Sequence, residues 1–237
     1  PVPEPTVEPL PKPAAPKVRA KARTDLAFAY FADAQFKIAI EEGRKALEAD
    51  PEYGPAHHLL ALVHVYLREF STAQMHFEQA IRLEPKDPAI NNAYGLFLCT
   101  QGRGKEGIEK LMVAARDPLY PNPTYPYTNA GMCSLWIDEP KAAEDYLRRA
   151  VIADSQNTQA VYLLALVSYQ QKKLDEAKRL VDEVISRGEP NAESIWLALR
   201  IERKLGNRES EASYANQLRR KFKDSPEYKS LAQGQFE

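Results

Sequence analysis

Residues 88–121 read PAINNAYGLFLCTQGRGKEGIEKLMVAARDPLYP, and the fold follows from how that stretch is read. It is one copy of a unit that recurs before and after it. Gly95 belongs to a series of small residues, Ala27, Ala61, Gly95, Gly131, Ala165 and Ala198, with spacings of 34, 34, 36, 34 and 33. Gly107 belongs to a second series, Ala39, Ala73, Gly107, Ala143 and Ala177, spaced 34, 34, 36 and 34. A third runs Ala46, Ala80, Ala114 and Ala150, with Val184 breaking type. Pro51 and Pro85 stand 34 apart and close the first two units. Two antiparallel helices approach closely only where a side chain is small, and a proline cannot continue a helix.

A period near 34 with small residues at helix crossings and proline at the unit end is the signature of tetratricopeptide repeats. The predicted fold is all-α, a right-handed superhelical solenoid of six tetratricopeptide helix pairs. Its units are expected at about residues 20–53, 54–87, 88–121, 124–157, 158–191 and 192–224. A short capping helix should follow within 225–232, then a tail over 233–237. Residues 1–16 contain seven prolines and, with 17–19, read as an extended tether. Lys17, Arg19, Lys21 and Arg23 read as the solvated first turn of a helix. Between units three and four, DPLYPNPTYP (117–126) carries four prolines, which make that joint a rigid corner and account for the spacing of 36. Unit six is degenerate: Gly206 ends its first helix, and Glu211 and Ala212 blur the register, as terminal repeats commonly do.

Net charge is −1 and hydrophobic content 44%, a balance that gives no nucleic-acid-binding excess and enough apolar surface for a core. No apolar run approaches the length of a membrane span. The start at Pro1, without an initiator methionine or an apolar leader, reads as processed or truncated, so any export signal or anchor would lie upstream.

Catalytic patterns are missing. Gly102, Gly104 and Gly107 fit GxGxxG, but a helix precedes them where a dinucleotide site needs a strand. His57, His58, His64 and His76 all fall in unit two. His57 and His64 share a helix face without an HExxH pattern or a nearby cysteine, so packing and surface roles are expected in place of metal binding. No serine sits in a GxSxG elbow. The expectation is a protein that is not an enzyme, with no cofactor and no metal.

Cys99 and Cys133 fall near the C-terminal ends of neighbouring first helices. They lack CxxC spacing, which leaves two readings: buried free thiols, or a disulfide joining units three and four in an oxidising compartment.

In such arrays the first helices line a concave surface, and positions 2, 5, 9, 12 and 13 of each unit project into it. Those positions give Phe28 and Phe31, then His58, Leu62, Val65 and Tyr66. Units three to five add Asn92, Leu96 and Cys99, then Tyr125, Met132, Leu135 and Trp136, then Tyr162, Leu166 and Tyr169. The surface is apolar and aromatic, which suits a partner's hydrophobic segment. The ninth positions, Phe28, Leu62, Leu96, Met132 and Leu166, lack the cations and amides that grip a peptide C-terminal carboxylate.

The runs NNAYGLFLCTQGR (91–103), DPLYP (117–121), NAGMCSL (129–135) and SPEY (225–228) resemble the type IV pilus biogenesis and stability proteins of the PilF/PilW type, over about residues 20–232. The matching residues are Asn91, Asn92, Tyr94, Gly95, Tyr120 and Gly131, with Gly95 and Gly131 in helix packing and Asn92 free to meet a ligand backbone. The resemblance implies an outer-membrane lipoprotein facing the periplasm, anchored through an N-terminal lipidated cysteine that these 237 residues do not contain. It implies a pilotin or assembly factor whose partner is the outer-membrane secretin or another pilus-assembly protein, without nucleic acid. A monomer is expected. The alternative is a general repeat adaptor or co-chaperone of another complex.

Overall fold

The structure is a computed structural model that describes residues 14–188 and 190–236. Among them lie thirteen α-helices and no strand. They are α1 (Pro16–Ala32), α2 (Phe36–Ala49), α3 (Gly54–Tyr66), α4 (Phe70–Leu83), α5 (Pro88–Thr100), α6 (Gly104–Ala115) and α7 (Thr124–Trp136). The rest are α8 (Pro140–Ala153), α9 (Thr158–Gln170), α10 (Leu174–Ser186), α11 (Ala192–Leu205), α12 (Arg208–Lys221) and α13 (Pro226–Ala232). Six helix pairs, the number expected from the period, are followed by a short final helix. The chain divides into two compact units, residues 1–90 and 91–237, and the division falls inside α5.

Most of the expected tether lies outside the described residues. Its last part is not extended: α1 begins at Pro16, so residues 17–19 are helical, as the reading of Lys17 and Arg19 as a first helical turn has it. Proline at the first helical position loses nothing, because the amide it lacks would have no intrahelical partner there.

Every residue of the first and third alanine and glycine series is buried, as is every residue of the second. Gly107 shows why small size is needed. A Cβ added there would stand 2.6 Å from the Gly95 carbonyl oxygen and 2.5 Å from Cys99 Sγ. Helices α5 and α6 therefore cross backbone to backbone. Val184 and Leu218 fill the third position in the last two pairs and are buried as well, so that site tolerates volume while the crossing does not.

The turn inside each pair repeats in the backbone. Ala34, Arg68, Asp138 and Lys172 have φ of 58°, 61°, 57° and 61°, and Gly102 and Gly206 have φ of 77° and 78°. Each marks a left-handed residue just past a first helix, the arrangement in which a later amide reaches back to an end carbonyl. Such bonds run from Glu69 N to His64 O (2.8 Å), from Arg103 N to Leu98 O (2.9 Å) and from Lys173 N to Ser168 O (2.8 Å). Unit ends use aspartate: Asp50, Asp117 and Asp154 each accept, through a side-chain oxygen, the amide two residues on, at 2.8–3.1 Å. Asp and Asn favour this local turn because their short side chains mimic a backbone carbonyl.

In the first unit Ala27, Ala39, Leu59 and Val63 form a buried cluster against Phe28, Phe31 and Phe36. In the second, a larger core runs from Ala143 and Leu147 through Val161, Leu164 and Leu180 to Leu197 and Ile201. Adjacent pairs there are tied by charge too, since Glu144 binds both Arg148 (2.7 Å) and Lys173 (2.8 Å). The last pair keeps its backbone register, because Gly206 follows Lys172 by one period. Its crossing is different: Glu211 stands where earlier units have a small residue and pairs with Arg203 at 2.7 Å. Helix α13 and the residues after it close the end, where Tyr228, Leu231 and Phe236 pack on Ile195, Trp196 and Leu199.

Candidate functional site

The first helix of each pair has one face in the core and one toward solvent, and the second face is the candidate site. In the first unit Tyr66, 63% exposed, ends α3. Its ring lies 4.3 Å from that of Phe36 and 6.5 Å edge-on from Phe31. Phe28, Phe31 and Leu62 are half-buried. His58 departs from the expected lining. It is buried, with its ring 5.9 Å from Phe28 and 6.5 Å from Phe77, and burial pushes its imidazole down to about 4. Packing, not the open face, takes this side chain.

The other histidines sit between α3 and α4. His57 Nδ1 and His76 Nδ1 are 3.0 Å apart, so one donates to the other. His64 Nδ1 lies 2.5 Å from Glu69 Oε2, and its ring stacks on that of His76 at 5.7 Å. Among the described residues no group of three or more His, Cys, Asp or Glu is arranged to hold a metal ion. Burial lowers the His76 imidazole to about 4 and also lowers that of His57.

In the second unit Asn92 is half-buried on α5, and its Oδ1 accepts a hydrogen bond from Asn129 Nδ2 on α7 at 3.0 Å. This pair joins two adjacent first helices on the solvent side. Trp136 and Tyr125, 53% and 55% exposed, stand at the two ends of α7. Leu96 is half-buried, and Met132, Leu135, Tyr162, Leu166 and Tyr169 are partly buried; the last five rest on the large core. Burial raises the Tyr162 hydroxyl to about 12, so it stays a neutral donor. Cys99, expected on this face, points inward instead and is 5% exposed. Its sulfur stands 2.14 Å from that of Cys133, a disulfide distance that ties α5 to α7. Of the residues singled out by resemblance, Asn91, Tyr94, Gly95 and Gly131 are buried, while Asn92 and Tyr120 reach the surface.

Gly102, Gly104 and Gly107 make a turn and a helix crossing, with α5 before them and α6 after. No strand leads into them, so they do not form a phosphate cradle.

The face extends one pair beyond the five units whose positions give the expected lining. Positions 5, 9, 12 and 13 of unit six are Trp196, Arg200, Arg203 and Lys204. The Arg200 guanidinium carbon sits 5.0 Å from the Tyr169 ring centroid and 5.7 Å from that of Trp196. The same positional rule finds them once the degenerate unit is trusted.

Two family profiles, each described as Tetratricopeptide repeat, match residues 58–121 and 138–200. The chain is 30% identical over 188 residues to the Type IV pilus assembly protein PilF of Pseudomonas aeruginosa, covering 79% of this chain and 75% of that protein. The chain belongs to the PilF/PilW family. Solved structures agree. A Pseudomonas aeruginosa PilF structure superposes with a TM-score of 0.85 at 27% identity, covering 93% of this chain and all of that one. PilW, described as a widely conserved type IV pilus biogenesis factor, gives 0.84 at 31% identity over 90% of this chain and 98% of its own. As a PilF/PilW-family member the chain is a tetratricopeptide repeat scaffold of type IV pilus biogenesis. No helix among its described residues is long and apolar enough to cross a membrane.

Proposed function

We propose that this chain is a non-catalytic scaffold at the periplasmic face of the outer membrane, lipid-anchored upstream of Pro1. There it assists assembly or localisation of the pilus secretin, or stabilises the pilus, by gripping a partner segment on its first-helix face. It acts as a monomer, and its Cys99–Cys133 pair is oxidised in that compartment. One observation carries the reading: Trp136 is 53% exposed at the end of a helix whose opposite side is core. Large aromatic side chains left in water on a rigid element are typical anchors for a partner. Asn92 and Asn129, the latter two turns earlier on the same helix, add amides that can bond to a partner's backbone.

The test is secretin multimer formation in cells lacking the protein, read as SDS-resistant oligomers and their membrane fraction, with rescue by variants. Trp136→Ala or Asn92→Ala should weaken capture of the secretin about tenfold while leaving helicity and melting nearly unchanged. Normal multimers with unstable pili would favour fibre stabilisation over secretin assembly. Normal multimers and normal pili in the deletion strain would reject the proposal.

A further inference from the structure

The ninth residue of each unit is Phe28, Leu62, Leu96, Met132 and Leu166 until the last, where it is Arg200. The face is apolar along α5, α7 and α9 and turns basic on α11. Two adjoining open cavities mark the change, of about 440 and 580 Å³, and Tyr169, Arg200 and Lys204 line both. Leu166, Gln170, Lys172 and Leu174 complete the first cavity, and Arg203 and Phe236 take part in the second. Neither is lined by a carboxylate.

Arg200 is held in an unusual way. Its guanidinium lies near two aromatic rings, and its Nε is buried without a hydrogen-bond partner among the described residues. Stacking of this kind fixes the plane of an arginine while leaving its other N–H groups to bind an anion. Lys172 and Lys204 are exposed on either side. Phe236 shows what the surface accepts: its ring stacks on Trp196 at 5.6 Å with the Arg203 guanidinium 3.9 Å from its centroid. An aromatic ring beside a cation is already seated on α11.

We propose that this end of the face binds an acidic stretch of a partner protein in which carboxylates stand beside aromatic or aliphatic side chains. Arg200, flanked by Lys172 and Lys204, receives the carboxylates. The apolar floor of Leu166, Tyr169 and Leu174 takes the neighbouring side chain. Charge complementarity selects this occupant, because three cations without a lining carboxylate favour a negative ligand and disfavour a basic one. The inference rests on the reading of the chain as a partner-binding scaffold but not on the identity of the partner.

The probe is a fluorescein-labelled peptide of aspartate, phenylalanine and leucine, titrated into the full chain by anisotropy at low and physiological salt. The same peptide with asparagine for aspartate is the control. The acidic peptide should bind, weaken with salt, and bind at least about tenfold more tightly than its asparagine form, the loss expected on removing a charge-assisted contact. R200Q should lose about tenfold. The K172Q/K204Q double variant changes only exposed side chains, so it tests the same charge without risk to the fold, and it should lose a similar factor with its melting curve unchanged. Wild-type affinity in both variants would overturn the proposal, as would no binding of the acidic peptide. Vesicles of phosphatidylcholine with phosphatidylglycerol that bind the chain where the peptide does not would assign the patch to a lipid surface and overturn it as well. Peptide binding that fails while secretin capture persists rejects only this basic end. Failed capture with intact peptide binding rejects only the secretin as partner.

Discussion

Lys172 holds its backbone at φ 61°, a conformation that costs a side-chain-bearing residue about 1–2 kcal/mol. Asp138 at 57°, Arg68 at 61° and Ala34 at 58° share it one, three and four periods away. The two glycines at the equivalent turns, Gly102 and Gly206, show what the backbone prefers there. Arg68→Gly and Lys172→Gly should therefore each raise stability by about 0.5–1 kcal/mol, after allowing for the greater freedom of glycine in the unfolded chain. Urea denaturation midpoints read this directly, and a drop in either variant would mean the side chain contributes more than its strain. The sequence announced only the two glycine turns. At the other sites, the hydrogen bonds that join the two helices of a pair impose the conformation on whatever residue is present. His58 teaches the same lesson from the opposite side. Its position in the period marks it for the open face, but Phe28 and Phe77 leave it room only inside.

Helix pairs are where the small-residue series acts. Gly107→Ala places a methyl group against the Gly95 carbonyl, which cannot rotate away, so α5 and α6 must part. A loss of about 1–3 kcal/mol is expected, with a lower melting temperature and retained helicity. Ala114→Gly, a change that leaves the crossing untouched, is the comparison. The link from α5 to α7 through Cys99 and Cys133 encloses a sequence separation of 34 residues. A loop of that size contributes about 3–4 kcal/mol in the chain-entropy view. The double variant Cys99→Ser/Cys133→Ser should lose that much, and reduction of the native protein should mimic it. Two titratable thiols in unreduced native protein would sink the bond itself. Period alone put both cysteines near the same end of adjacent first helices. It could not say whether their sulfurs meet, since a sequence offset carries no information on how far two helices tilt.

Across the whole chain, histidines and tryptophans are separated. All four histidines lie between positions 57 and 76, and both tryptophans, Trp136 and Trp196, lie beyond residue 91. His58 and His76 are pushed down to about 4 by burial, from an ordinary value of 6.5, so the folded state favours their neutral form. Their contribution is fully present above pH 6.5 and is lost as pH falls toward 4. For His58, 9% exposed, a shift of that size corresponds to about 3 kcal/mol. Between pH 7 and pH 4.5, amide protection factors, taken relative to the slower intrinsic exchange at lower pH, should fall in α3 and α4, while the emission of Trp136 and Trp196 stays constant. His58→Leu should remove much of the acid sensitivity, and uniform exchange behaviour along the chain would refute the assignment. By itself, the sequence determined that the chain is all-α, that it contains six helix pairs, and which positions must be small. These are properties of spacing, and a 34-residue period with glycine or alanine at the crossings of the first five pairs leaves one architecture that can bury them. Only the tertiary structure decided which periodic positions meet solvent. Trp136 remains out and His58 goes in, and Arg200 is caught beside two rings in a unit whose spacing had blurred. Burial depends on the volumes of neighbours brought from distant parts of the chain, and those volumes are not written in any local interval.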